Sequence, residues 1–292
     1  MFLKTVLFPD GLGLAIIRRI LPIPTIRPIW SKFGFGSVET RALFGVSARP
    51  AYLYGLYRAA ELAARLGIPE ISAIEFGVGY GSGLLAMERI AAEVSASTGV
   101  TISVFGFDSG KGLPEPVDYR DLPHLWAPSD YRMNEDELRK MLERATLVIG
   151  DVADTVPQFI ALGHAPIGFA AFDLDFYSST ASALQVFDGP QKSRLPRTYC
   201  YFDDTIRPDI ACYNDHTGEL LAIREFNCTH DSKLCPIHEL SDALGYRAAW
   251  HRESYVLHDF GHSLYCVNVG PESDRKSPAR LARIAPGSRH PE

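Results

Sequence analysis

Glu75-Phe76-Gly77-Val78-Gly79-Tyr80-Gly81-Ser82-Gly83 joins two unlike patterns. Before it, Ile71 to Phe76 is a short apolar run of the kind that forms a buried strand. After it, Leu84-Leu85-Ala86-Met87 opens a helical pattern. A glycine-rich turn between a strand and a helix lets the backbone approach a ligand where side chains would collide. The dinucleotide fingerprint requires glycine at the first, third and sixth positions of the turn. Counting from Gly77 the sixth position is Ser82, and counting from Gly79 it is Leu84. The turn therefore reads acid-x-Gly-x-Gly-x-Gly, a different arrangement.

Working outward, apolar runs and helical patterns alternate from residue 50 onward. Residues 50–67 repeat apolar positions at helical spacing and stop at Gly67. Strands are expected at 71–76, 102–107, 146–149, 167–173 and 198–202, with helices near 83–96, 135–144, 153–162 and 178–187. Such alternation implies parallel strands with helices on both faces. Near the end, Ser254 to Asp259 and Ser263 to Asn268 flank Phe260-Gly261-His262 and read as a hairpin. The simplest partition is an N-terminal arm (1–49), one domain (50–270) and a Pro/Ser/Arg-rich tail (271–292) read as disordered.

Hydrophobic residues make up 46% of the 292-residue chain and charged residues 22%, the composition of a globular domain. A net charge of -6 argues against a nucleic-acid partner. Cysteines 200, 212, 228, 235 and 266 are odd in number and unevenly spaced, which suits a reducing cytoplasm rather than a disulfide framework. No apolar run reaches the ~20 residues of a spanning helix. Within residues 1–42, Lys4, Arg18, Arg19, Arg27, Lys32 and Arg41 stand against Asp10 and Glu39. A basic, apolar arm could touch an anionic membrane surface, but Pro22, Pro24 and Pro28 break a long amphipathic helix, and packing on the domain or on a second copy in a homo-oligomer is favoured.

Acidic residues recur at the strand ends. Asp108 closes the second strand and is followed by Ser109; an acid there can accept from a ligand hydroxyl or serve as a turn aspartate. Asp151 and Asp154 follow the third strand, with Asp154 expected as the helix cap. Asp173-Leu174-Asp175 closes the fourth strand and Asp203-Asp204 the fifth. If extended backbone persists, Asp173 and Asp175 share a face. Neighbouring parallel strands lie ~4.8 Å apart, so both acidic pairs would meet at one sheet edge. Carboxylates that close are relieved by a divalent cation or by raised pKa values, and the carboxylate count favours the cation.

The glycine turn resembles the first motif of the class I S-adenosylmethionine (SAM)-dependent methyltransferases. That family's sheet has seven strands, mostly parallel with an antiparallel last strand, and helices on both faces of a Rossmann-like fold. Asp-x-Asp-x-Tyr-x-Ser-Thr from Asp173, followed by Asp203-Asp204, resembles more narrowly the macrocin O-methyltransferases, which methylate sugar hydroxyls with the help of magnesium. The similarity covers roughly residues 70–210. It implies that Gly77, Gly79, Gly81 and Ser82 lie under the methionine part of SAM, with Glu75 near its ammonium. It also implies that Asp108 and Ser109 face the ribose, Asp151 the adenine amino group, and Asp173 the cofactor as well as a metal. Asp173, Asp203 and Asp204 would hold Mg2+, and Asp175 would be the general base toward a sugar or glycoside. The arm and the helix at 213–227 depart from the antibiotic enzymes, which leaves the acceptor open; Glu219 and Glu225 in that helix either enter the site or form a solvated face. A metal-independent methyltransferase using Asp175 or His124, and a non-catalytic SAM-binding protein, are the alternatives.

Two further segments carry candidate chemistry. Residues 118–140 hold Tyr119, His124, Trp126 and Tyr131, either a lid over the ligand or a surface excursion with its own apolar cluster. Cys228, His230, Cys235 and His238 are zinc-capable, but their spacing fits no usual zinc site, and ordinary thiols in a loop are the favoured reading.

Overall fold

The computed structural model describes residues 26–206, 210–238, 240 and 247–270. The expectations for residues 1–25 and for the tail from 271 lie outside the described residues. Among the described residues two short helices come first, α1 (Ile26–Phe33) and α2 (Val38–Leu43), then α3 (Pro50–Leu66). Proline at the first turn of α3 and Gly67 in left-handed conformation at its end bound that helix as the sequence signals predict. The alternating part follows in chain order: β1 (Glu70–Phe76), α4 (Ser82–Thr98), β2 (Thr101–Asp108), α5 (Glu135–Met141), β3 (Thr146–Ile149), α6 (Val152–Leu162) and β4 (Ile167–Phe172). After these come α7 (Tyr177–Leu184), β5 (Arg194–Phe202), α8 (Gly218–Thr229), β6 (Lys233–Pro236) and β7 (Ser254–His258).

The seven strands form one sheet in the order β3-β2-β1-β4-β5-β7-β6. β7 runs antiparallel to both of its neighbours and the other observed pairings are parallel. This is the expected fold class, mostly parallel with an antiparallel last strand. The hairpin assignment is corrected. Residues 263–268 form turns, with Tyr265 N donating to His262 O and Val267 N to Leu264 O. Both edges of β7 are already paired, one with β5 and one with β6, so the 263–268 segment finds no free ladder. The strand that completes the sheet lies instead at 233–236, inside the stretch read as a thiol-bearing loop.

The core has two layers, one on each face of the sheet. On one face Tyr52, Leu53 and Leu56 of α3 and Leu84, Met87 and Ile90 of α4 pack with Ile71, Ala73 and Phe169 of the strands. Val38, Ala42, Phe44 and Val46 belong to the same layer, which ties residues 38–46 to the domain. On the other face Val156 and Phe159 of α6, Leu184 of α7 and Phe226 of α8 pack with Ile74, Cys200 and Leu257.

The feature that positions the site is a row of four phenylalanines at the carboxyl ends of the central strands. The parallel register sets Phe107 beside Phe76, Phe76 beside Phe172 and Phe172 beside Phe202. Ring centroids along the row are 5.0, 5.2 and 4.6 Å apart, and each ring is buried. Burying a phenylalanine stabilises the fold by roughly 2–3 kcal/mol. The row fixes the height at which each strand leaves the sheet. The next residues in the four strands are Asp108, Gly77, Asp173 and Asp203.

Candidate active site

A cavity of about 820 Å³ opens above that row, at the carboxyl edge of the sheet. This is where ligands bind in open α/β sheets, and the volume lies in the usual range for small-molecule sites. Gly77, Gly79, Ser82, Asp108, Ser109, Asp151, Asp173, Asp175 and Asp203 all contribute to its wall.

The glycine turn is built for close approach. Gly77 has φ +84°, and a Cβ there would stand 1.7 Å from the carbonyl oxygen of Asp173. No L side chain fits. Asp108 holds the turn in place: its Oδ2 accepts from Val78 N and Gly79 N at 2.9 Å, and its Oδ1 from Gly110 N at 2.7 Å. Ser109 stabilises the next loop, donating to Gly112 O at 3.0 Å and accepting from Lys111 N. Asp151 lines the cavity and also caps α6, accepting from Ala153 N at 2.9 Å. The cap is therefore Asp151 and not Asp154, because α6 begins at Val152.

Glu75 stands behind this wall. Its side chain is buried beneath α4, where a Cβ on Gly83 would meet Oε1 at 1.8 Å. Tyr52 donates its hydroxyl to Oε1 at 2.7 Å, and Oε2 is buried without a hydrogen-bond partner. Burial pushes the Glu75 carboxyl up to about 8, against the opposing pull of the Tyr52 hydrogen bond and the Arg49 charge. Gly81, at the N-cap of α4 with its Cα against Leu138, is also outside the cavity lining.

The acidic residues converge. Asp173, Asp203 and Asp204 each offer a carboxylate oxygen, and these lie within 4.8 Å of one another. That fits the donor set of a hard divalent cation, which takes carboxylate oxygens. Among the described residues this is the one cluster that meets that spacing, so Cys228, His230, Cys235 and His238 do not form a comparable group. His230 instead pairs with Asp188 at 3.0 Å.

Asp175 sits beside the cluster by a route other than strand periodicity. β4 ends at Phe172, Asp173 N makes a last bond to Phe76 O, and Phe176 N closes a tight turn onto Leu174 O. Asp175 adopts φ +59° within that turn. Burial, then the charges of Asp204 and Asp173, push its carboxyl up to about 9, and a hydrogen bond with Asp204 adds to the shift. Asp173 is raised well above the carboxylate range by burial and by Asp203 and Asp204.

Tyr201, Tyr213 and Asp121 escaped the sequence reading, and the two readings of Glu219 and Glu225 are separated by the structure. Glu219, at the start of α8, is fully buried; its Oε2 accepts from Asp204 N at 2.9 Å, and burial followed by the Asp204 charge raises its pKa strongly. Tyr213 donates to Asp204 Oδ1 at 2.5 Å, and Tyr201 donates to Asp203 Oδ1. The helix expected at 213–227 is α8, which starts only at Gly218 and reaches the site through its buried first turn, whereas Glu225 is exposed and accepts from Tyr177. Asp121 is buried and accepts from Val117 N, Ser178 N and Ser178 Oγ, pinning the excursion after β2 to the start of α7. From that excursion Leu113, Pro114, Pro128, Ser129 and Tyr131 wall the cavity. Tyr119 and His124 are exposed and outside its lining.

No family model and no curated protein matches the sequence. Among solved structures, the O-methyltransferase NovP aligns with 84% of this chain and 98% of its own, at TM-score 0.51 and 15% identity. CalS11, a calicheamicin methyltransferase, aligns with 88% of this chain and 96% of its own, at TM-score 0.46 and 20% identity. At these identities the likeness is one of fold, and the chain has the Rossmann-like, seven-stranded architecture of the class I methyltransferases.

Proposed function

We propose that this chain is a SAM-dependent O-methyltransferase that methylates a hydroxyl of a polar small molecule, a sugar or glycoside, assisted by Mg2+. The observation that carries the reading is the convergence of Asp173, Asp203 and Asp204 within 4.8 Å beside a cavity floored by Gly77. SAM binding alone calls for no such cluster.

In this reading the adenosine lies toward Asp108, Ser109 and Asp151, and the methionine part over Gly77 and Gly79 with its ammonium toward Asp173. Asp173, Asp203 and Asp204 would hold the cation, which when bound supplies charge that orients an acceptor diol and lowers its hydroxyl pKa. In its ionised form Asp175 would take the hydroxyl proton as the methyl group leaves sulfur, and the burial and neighbouring carboxylates that raise its proton affinity make it a stronger base than an ordinary carboxylate. Tyr213 and Glu219 fix the turn that presents Asp203 and Asp204. The wall from 112–134 excludes water, and positioning supplies much of the rate. The cysteine usage supports a cytoplasmic location in this reading.

The test is methyl transfer from labelled SAM to a panel of glycosides and nucleotide sugars, with Mg2+ or with a chelator. The reading expects product on a vicinal diol that the chelator abolishes. Product formed equally with chelator would sink the metal's role. A panel without product, together with no binding of S-adenosylhomocysteine, would sink the reading altogether.

A further inference from the structure

The cavity wall contains two basic side chains, Arg49 and Lys111. They lie in different neighbourhoods. Lys111 follows Ser109 in the loop after β2, on the side of Asp108. Arg49 directly precedes α3 and reaches the opposite side, where its NH2 donates to Ser82 Oγ at 3.0 Å and its guanidinium lies 5.6 Å over the Tyr52 ring. It is half-buried, and among the described residues no carboxylate pairs with it within 4 Å. Its neighbours Glu75 and Asp173 act on it only through longer-range attraction. Glu75, the acid behind the wall, already receives the Tyr52 hydroxyl. A guanidinium held from two sides at a cavity wall, with donors left over and no anion, is a prepared carboxylate site.

Resting on the methyltransferase reading, we infer that Arg49, supported by Ser82, binds the carboxylate of the amino-acid end of the cofactor. That end has two charges to satisfy. Asp173 lies on the same part of the wall and suits the ammonium, so the carboxylate requires a cation nearby, and Arg49 is the one that reaches it. The segment immediately before α3 thereby becomes part of the cofactor site, and it discriminates complete cofactor from nucleosides lacking the amino-acid carboxylate.

The test is calorimetric titration of the full chain with two ligands, S-adenosylhomocysteine and S-adenosyl-3-thiopropylamine. The second keeps the ammonium and lacks only the carboxylate. Arg49→Gln is expected to weaken S-adenosylhomocysteine by about 10- to 100-fold while changing the amine analogue by less than about twofold, and Arg49→Lys should recover part of the loss. Unchanged binding of the amine analogue also certifies that the variant is folded. Equal weakening of both ligands would make Arg49 a structural residue and overturn the inference, as would no weakening of either. If wild type binds the amine analogue as tightly as S-adenosylhomocysteine, the carboxylate site does not exist. If wild type binds neither, the inference falls together with the function on which it rests.

Discussion

Glu75 shows how one residue's environment sets its chemistry. Its carboxyl is raised to about 8 by burial, so the folded protein binds a proton there that the unfolded chain releases near its ordinary value of ~4.3. The sign follows from linkage. Stability from this group is complete at pH below the unfolded value and is lost as pH rises through the folded value. Between about pH 5 and 8 wild type should therefore lose stability relative to Glu75→Gln, which keeps the shape without the ionisation, and urea melts across that window would show the difference. Parallel pH profiles for the two proteins would refute it. At Gly77 the expectation concerns shape. With φ +84° and Asp173 O in the space of a Cβ, Gly77→Ala should cost on the order of 2–4 kcal/mol and lose S-adenosylhomocysteine binding, checked by thermal melting and calorimetry. Asp175→Asn is expected to retain cofactor and Mg2+ binding while lowering kcat by 10²-fold or more, about the contribution of a general base. If turnover persists, Asp175 is not that base.

At the level of elements, the sequence was most legible where one pattern had one meaning. β3 was placed at the observed residues, and the other four parallel strands were found with shifts at their ends, the largest at β5, which starts at Arg194 rather than 198. The terminal hairpin fails because Ser263-Leu-Tyr-Cys-Val-Asn has strand-like composition but its expected partner β7 is already paired on both sides, whereas Lys233-Leu-Cys-Pro is too short and polar to announce itself. Phe76, Phe107, Phe172 and Phe202 are a usable signal: each of the four central strands carries a phenylalanine at or one residue before its end, followed by a residue that lines the cavity. Asp121 could not be read from sequence, since its value lies in two bonds across the fold from Ser178, added to a local one from Val117. Asp121→Ala should release the 112–134 wall from α7. Limited proteolysis should then cut within 112–134 well before the rest of the domain, with S-adenosylhomocysteine slowing the cleavage. Resistance equal to wild type would show that the wall is held by other contacts.

For the molecule as a whole, the site is a local accumulation of negative charge that the fold must tolerate. Asp173, Asp175, Asp203, Asp204 and Glu219 are brought together by β4, β5 and α8, elements distant in sequence, and the rigid sheet prevents them from separating. The sequence disclosed four of the five because they sit at strand ends; Glu219 was ambiguous because a helix-borne acid gives no sign of which face it shows. Such a cluster couples cation binding to stability: a ligand that binds only the folded state raises its melting point by mass action. Mg2+ should therefore raise the melting temperature of wild type but not of Asp203→Ala. The central claim is tested most directly by calorimetric titration of S-adenosylhomocysteine into wild type and Asp203→Ala, each with and without Mg2+. The prediction is cofactor binding by both proteins and a Mg2+ heat in wild type alone. Absence of S-adenosylhomocysteine binding by wild type would contradict the account and leave only the fold.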